Sequence, residues 1–316
     1  MRRSERSRSQ RKDAKGAKKK GSRTGSCPVS VLSSRLCAFA LRLFLFCCLS
    51  APLLAARPQR VVSQSVGTDE LLLALADPGQ IAALSHIGRD ARFSAAAAEA
   101  RRFPALKDSD AESVLRFRPD LVLAASFTRP ETLALLRRAG VRLVVLDRFD
   151  TLEDVYVSLR LLGRELGQEA RAEALIAQCR GRVQALAERL KGVRPVRVLT
   201  AGAYPFTAGS GTTFQDLCDH AGAVNVAAEA GLKGHAPTPS EKLLTWNAEV
   251  LVISGDRPDG SDARARLAEI PHYRVLPAFR AGRFVVIPGA LMSSVSHRRI
   301  DAYELLARAL HPERFR

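Results

Sequence analysis

Beyond its first 56 residues the chain has two cysteines, Cys179 and Cys218, and neither lies in a Cys-x-x-Cys pair or a Cys/His cluster. That spacing excludes the common structural zinc sites. No Gly-x-Ser-x-Gly, His-Glu-x-x-His or P-loop occurs, so the signatures of many hydrolases, metalloproteases and nucleoside triphosphatases are missing. Glycine is scarce after the first hydrophobic run, where Val66-Gly-Thr-Asp-Glu is too poor in it to cradle a pyrophosphate. Long apolar runs are lacking as well. The stretch from Leu36 to Leu49 is broken by Arg42 and is shorter than the ~20 residues a membrane span needs.

Charge is plentiful but unevenly spread. The formal net charge is +17, yet the first 57 residues hold 14 of the 49 Lys and Arg against two of the 32 acidic residues, leaving 35 basic and 30 acidic residues elsewhere. A nucleic-acid partner would need basic residues gathered on a folded face with stacking aromatics, so none is expected. Residues 2–23 are basic and rich in Gly and Ser, the apolar stretch follows, and Ala51, Ala55 and Ala56 close it. This is the pattern of an export signal with a long basic n-region, spanning 1–56 and cleaved near Ala56; the alternative is an uncleaved anchor. Phe46 before Cys47 argues against lipid attachment. In an oxidising compartment Cys179 and Cys218 are free to pair, or both are small buried apolar residues; the two readings stay open.

The 316 residues are 47 % hydrophobic, enough for two cores. Short buried strands are expected at 61–65, 81–85, 121–125 and 143–146, with helices between them at 68–75 and 130–139. Helical periodicity dominates 151–191 with a break at Gly167, and a helix over 168–191 would run ~36 Å, long enough to bridge two lobes. A second series follows: strands at 196–200, 250–254 and 284–287, helices at 213–221, 240–245 and 300–310. Trp246 is expected in the second core. The fold class is α/β, two Rossmann-like lobes with mostly parallel sheets joined by a long spine helix. Its domains are 57–150, a helical linker at 151–194, and 195–316.

Five stretches carry a resemblance: Arg60-Val-Val-Ser-Gln-Ser-Val-Gly-Thr-Asp-Glu-Leu-Leu72, Glu112-Ser-Val-Leu-Arg-Phe-Arg-Pro-Asp-Leu-Val-Leu-Ala-Ala-Ser126, Ala208-Gly-Ser-Gly-Thr-Thr-Phe214, Ala221-Gly-Ala-Val-Asn-Val226 and Leu310-His-Pro-Glu-Arg-Phe315. In this order and spacing they resemble the periplasmic substrate-binding proteins of ABC importers for iron chelates, haem and vitamin B12, over residues 60–315. The resemblance implies a monomer in the periplasm with no intrinsic cofactor, carrying an iron siderophore, haem or cobalamin to the transmembrane subunits of an ABC permease. It also implies that Glu112, and Glu241 in Pro237-Thr-Pro-Ser-Glu-Lys-Leu-Leu244, dock onto permease arginines. Helix capping is the plainer role for both.

Ligands of parallel sheets sit outside the carboxyl ends of the strands, which points to Ser65 and Thr68, His86 and Arg89, Phe127 and Arg129, Arg148, Tyr204, Arg257 and His297. Arginine suits anionic and planar ligands, and Phe93, Phe149 and Phe206 in the same loops could wall a large apolar cleft. Solvated loop charge is the alternative for each arginine. For a metal-bearing ligand His86, His235, His297 and Tyr204 are the side chains able to offer an axial atom. The rival function is a metal-cofactor enzyme of related architecture, such as a chelatase, with His86 or His297 as general base.

Overall fold

The structure, a computed structural model, describes residues 57–316 apart from 203–205, 256 and 258. The expected export signal and Tyr204 therefore lie outside the described residues. The first sheet contains β1 (Val61–Ser63), β2 (Ile81–Ala83), β3 (Leu121–Ala125) and β4 (Arg142–Leu146) in the order β2-β1-β3-β4, all parallel. Every residue of β3 is buried, as a continuous apolar run between two neighbouring strands requires. Asp120, just before it, accepts hydrogen bonds from the backbone N–H groups of Gln59 (2.6 Å) and Arg60 (3.0 Å), which sets β1 alongside. Helices α1 (Val66–Leu75), α2 (Ala111–Leu115) and α3 (Pro130–Arg138) connect these strands.

Two long helices follow, α4 (Leu152–Leu166) and α5 (Glu169–Arg189). Gly167 separates them with φ 66°, a left-handed conformation that glycine adopts without steric cost. At 21 residues, α5 runs about 31 Å.

The second sheet is again wholly parallel, with β5 (Val196–Ala201), β7 (Ala223–Asn225), β9 (Val250–Gly255) and β10 (Phe284–Pro288) in the order β10-β9-β5-β7. An antiparallel pair, β6 (Phe206–Ala208) and β8 (His235–Pro237), flanks it. Helices α6 (Thr213–Ala221), α7 (Ser261–Ala268) and α8 (Arg299–Leu310) complete the lobe. In both sheets the strand order reverses at the centre, between β1 and β3 and between β5 and β9, so loops diverge there and leave a crevice at the carboxyl edge.

One apolar cluster runs through both lobes: Leu71, Leu72 and Leu123 from the first, Leu159, Leu162 and Ile176 from α4 and α5, and Phe214, Leu217, Ile300 and Tyr303 from the second. Each sheet covers its other face with a cluster of its own, around Val62, Val114 and Leu136 in the first lobe and around Leu199, Trp246 and Tyr273 in the second. Trp246 thus packs where its sequence context placed it. The expected helix at 240–245 is replaced by a turn at Glu241 and a 3-10 helix, Leu243–Trp246. The entering chain is extended through Pro237, a turn closes from the Lys242 N–H to the Pro239 carbonyl at 2.9 Å, and Asn247 at φ 51° ends the short helix. Cys179 and Cys218 are both free and buried, and burial pushes each thiol's pKa up.

Within the second lobe, where the chain from the first lobe enters α4, lies a buried ion pair. Arg299 and Asp216 are 3 % and 6 % exposed, with Nη1 to Oδ2 at 3.0 Å. Arg299 also donates to the carbonyls of Phe149 (2.5 Å), Asp150 (3.2 Å) and Ser294 (3.1 Å). Asp216 accepts from the Leu152 backbone N–H at 3.2 Å and from the Tyr303 hydroxyl. The start of α4 is thereby tied to α6 and α8. Removing one member of such a pair leaves the other charged and buried, so Arg299→Met should lower the unfolding free energy by about 3 to 5 kcal/mol in urea denaturation. A loss below about 1 kcal/mol would show the pair to be dispensable.

Candidate functional site

Two neighbouring cavities open at the carboxyl edges of the sheets. The first, about 640 Å³, is lined by Gln64 to Gly67, Glu70, Ser85 to Ile87, Phe93, Asp108, Ser109 and Phe127 to Arg129 from the first lobe, and by Ala290 and Ser293 to Val295 from the second. The other, about 530 Å³, is lined by Phe149 and Asp150, the ends of β5 and β6, Phe214, His235, Ser254, Met292, Ser293 and Val295. Ser293 and Val295 face both. The Phe127 and Phe149 rings, one from each lining, meet edge-on with centroids 5.8 Å apart. The cleft therefore has an aromatic seam between its two halves.

Local sequence explains how the first half is positioned. Ser65 caps α1 in a capping box with Thr68: its hydroxyl accepts from the Thr68 N–H at 3.4 Å, and the Thr68 hydroxyl accepts from the Ser65 N–H at 3.2 Å. This fixes the helix start at the end of β1, so Ser65, Val66 and Gly67 face the cavity. Thr68 is spent on the cap and is buried. Asp69, one residue on, accepts from the Ser85 N–H at 3.1 Å and from the Ser85 hydroxyl, which pins the loop after β2 and presents His86 and Ile87. Burial pushes the Asp69 carboxyl up to about 7, against those hydrogen bonds, and the neighbouring Glu70 adds to the rise. Opposite, the Thr128 hydroxyl accepts from the Ala125 N–H at 3.3 Å, and Pro130 opens α3, so Phe127 to Arg129 form a short turn over the crevice. Phe127 is 66 % exposed and Phe93 54 %, leaving two rings bare at the mouth.

Of the residues singled out from sequence, Ser65, His86, Phe127 and Arg129 converge on the first cavity, and His235 lines the second. Phe93 joins the first cavity, and Phe149 and Phe206 the second; the remaining described ones do not. Arg89 donates to the Arg101 carbonyl at 3.0 Å, and Arg101 returns a bond of 3.0 Å to the Arg89 carbonyl. Arg148 pairs with Asp154 at 2.9 Å. Arg257 and His297 line neither cavity. Glu112 lies on α2, 77 % exposed and paired with Arg116 one turn on at 2.9 Å; Glu241 is exposed in its turn. Among the described residues no group of three or more His, Cys, Asp or Glu is arranged to hold a metal ion.

Glu70 and Asp108 were not singled out. Glu70 left one signal, a charge directly before the apolar run Leu71 to Leu75 of its helix. Asp108 left none, being far in sequence from any strand end.

The His297 Nδ1 is buried with no hydrogen-bond partner among the described residues. Burial lowers the imidazole from 6.5 to about 4, with Arg298 adding to the effect. The unfolded chain then takes up a proton before the folded one does, so this residue's contribution to stability falls as pH drops from about 6.5 toward 4. Denaturation midpoints of the wild type and His297→Gln should converge or cross in that window; a difference independent of pH would contradict the assignment.

Comparison with known proteins gives four further findings. A family model described as periplasmic binding protein matches residues 61–291. A cobalamin-binding protein of Halobacterium salinarum is 26 % identical over 265 residues, which is 82 % of this chain and 71 % of the relative. A Bacillus subtilis protein described as an uncharacterized ABC transporter substrate-binding lipoprotein is 22 % identical over 214 residues, 65 % of this chain and 66 % of the relative. Among solved structures, a periplasmic haem-binding protein from Pseudomonas aeruginosa superposes with a TM-score of 0.69 and 28 % identity, covering 81 % of this chain and 93 % of that one.

Proposed function

Because the chain belongs to the periplasmic binding protein family, as the match over residues 61–291 shows, we propose that it is the extracytoplasmic substrate-binding component of an ABC importer whose cargo is a metal-bearing tetrapyrrole, haem or a corrinoid. The observation that carries the ligand class is the cleft itself. Its larger cavity of about 640 Å³ is flanked by Phe93 and Phe127, adjoins a second cavity across the Phe127–Phe149 contact, and holds Arg129 and His86 at its lip. Flat apolar walls suit a macrocycle, and a guanidinium suits its carboxylates or amides.

The residues divide the work by chemistry. Phe127 covers the ring face, Arg129 meets a peripheral anionic group, and the exposed imidazole of His86 is placed to offer a nitrogen to an axial position. The haem-binding and cobalamin-binding relatives support the ligand class, and the relative described as a transporter component supports the importer role. Delivery then needs a docking surface. Glu112 and Glu241, exposed on different lobes, are the carboxylates proposed to meet permease cations.

The test is to incubate the protein separately with haem, cyanocobalamin and a ferric siderophore, remove free ligand by gel filtration, and record visible spectra. Retention of haem or cobalamin is expected, and retention of the siderophore alone would overturn the ligand class. His86→Ala should shift the haem spectrum while leaving cobalamin binding in place; no spectral change would remove His86 from the axial role. Arg129→Ala should weaken haem binding by about 1 to 3 kcal/mol, and equal affinities would place that guanidinium outside the contact. Glu112→Ala combined with Glu241→Ala should leave affinity intact and abolish uptake by cells, whereas normal uptake would remove both from docking.

A further inference from the structure

Glu70 lies on α1 of the first lobe, lines the larger cavity and is 2 % exposed. A carboxylate so deeply placed must be hydrogen-bonded to persist, and its partners come from both lobes. From the first, the Ala95 N–H donates to Oε1 at 2.9 Å and the Ser94 hydroxyl at 3.1 Å. From the second, the hydroxyls of Ser294 and Ser296 both donate to Oε2, the former at 3.5 Å. The two serines are 3.2 Å apart, and the Ser296 hydroxyl in turn accepts from the Arg298 N–H at 3.1 Å.

The same segment touches the first lobe at three further places. A Cβ on Gly67 would come within 2.2 Å of Val295 Cγ2, so the absence of a side chain there is what lets Val295 seat against α1. A Cβ on Gly289 would lie 3.1 Å from the Arg92 carbonyl oxygen. Arg298 reaches Glu99 at 3.9 Å. Residues 289–298 thus follow the first lobe closely, and Ser293 and Val295 within them form the partition of the cleft.

We propose that Glu70 is a positioning residue: with Ser294 and Ser296 it latches the second lobe to the first helix of the first lobe and fixes the width of the cleft before a ligand arrives. An alternating Ser-x-Ser suits this task, because it sends two hydroxyls to one carboxylate and leaves the intervening Val295 to pack on Gly67. Such a latch lowers the ordering cost of binding, since the walls are already in place. It also makes ligand release depend on breaking hydrogen bonds to a buried charge, which are stronger than those between neutral groups. The effect on binding rests on the receptor reading above; the latch itself is independent of it.

Hydrogen exchange on the full protein without ligand tests the latch. In Ser294→Ala/Ser296→Ala, exchange should rise on the order of tenfold at the amides of residues 95–97 in the first lobe as well as at 293–298, while β3 keeps its protection. Ser296→Thr, which retains the hydroxyl, should behave as wild type. Faster exchange confined to 293–298 would overturn the latch, because the serines would then act only within their own loop. If the double variant loses protection in β3 too, Glu70→Gln serves instead: it should raise exchange at 293–298 with β3 unaffected, and no rise there overturns the proposal. Haem or cobalamin should leave the unlatched protein roughly tenfold faster. Equal dissociation rates with altered exchange would overturn the link to binding and leave the latch standing.

Discussion

The buried pairing of Arg299 with Asp216 is the interaction on which the relation of the two lobes depends. Neither charge would be tolerated alone at this depth. Together they collect the Phe149 and Asp150 carbonyls, the Leu152 N–H and the Tyr303 hydroxyl, so the chain passes from the first lobe into α4 along a fixed course. Phe149 and Asp150 are also cleft residues. The charge pair that secures the linker therefore places part of the binding surface as well.

Around this point the apolar packing is continuous. Leu159, Leu162 and Ile176 on α4 and α5 belong to the same cluster as the cores of both sheets, which makes the helical pair a shared wall. Rigid-body swinging of the lobes would have to open that cluster, and apolar burial resists it at roughly 25 cal/mol per Å² exposed. The Glu70 carboxylate adds a polar tie on the cleft side. Held from the spine and from within the crevice, the cleft is a standing feature of the fold.

Much of the architecture was legible in the sequence because it rests on local signals. Short β-rich apolar runs such as 121–125 became strands with those bounds, Gly167 ended a helix in the conformation that only glycine adopts cheaply, and Trp246 went to a core. The family, too, was legible in the order of its short motifs. The site was read less completely. Arg89 and Arg148 sit in the expected loops, but their guanidiniums are engaged by the Arg101 carbonyl and by Asp154, choices made by tertiary approach rather than by neighbours in sequence. The role of Glu70 depends on residues more than 220 positions away, and nothing local announces such a partnership. The turn at Glu241 shows a related limit: helical spacing was present, but the turn closed on the Pro239 carbonyl and a left-handed Asn247 decided the backbone.

The central claim, a preformed cleft between lobes that do not swing, is tested most directly by small-angle X-ray scattering of the protein with and without haem or cobalamin. The account predicts superimposable curves and an unchanged radius of gyration. A clear compaction on binding would contradict it, showing that the lobes move and that the ligand, rather than the Arg299–Asp216 pair and the shared core, sets their spacing.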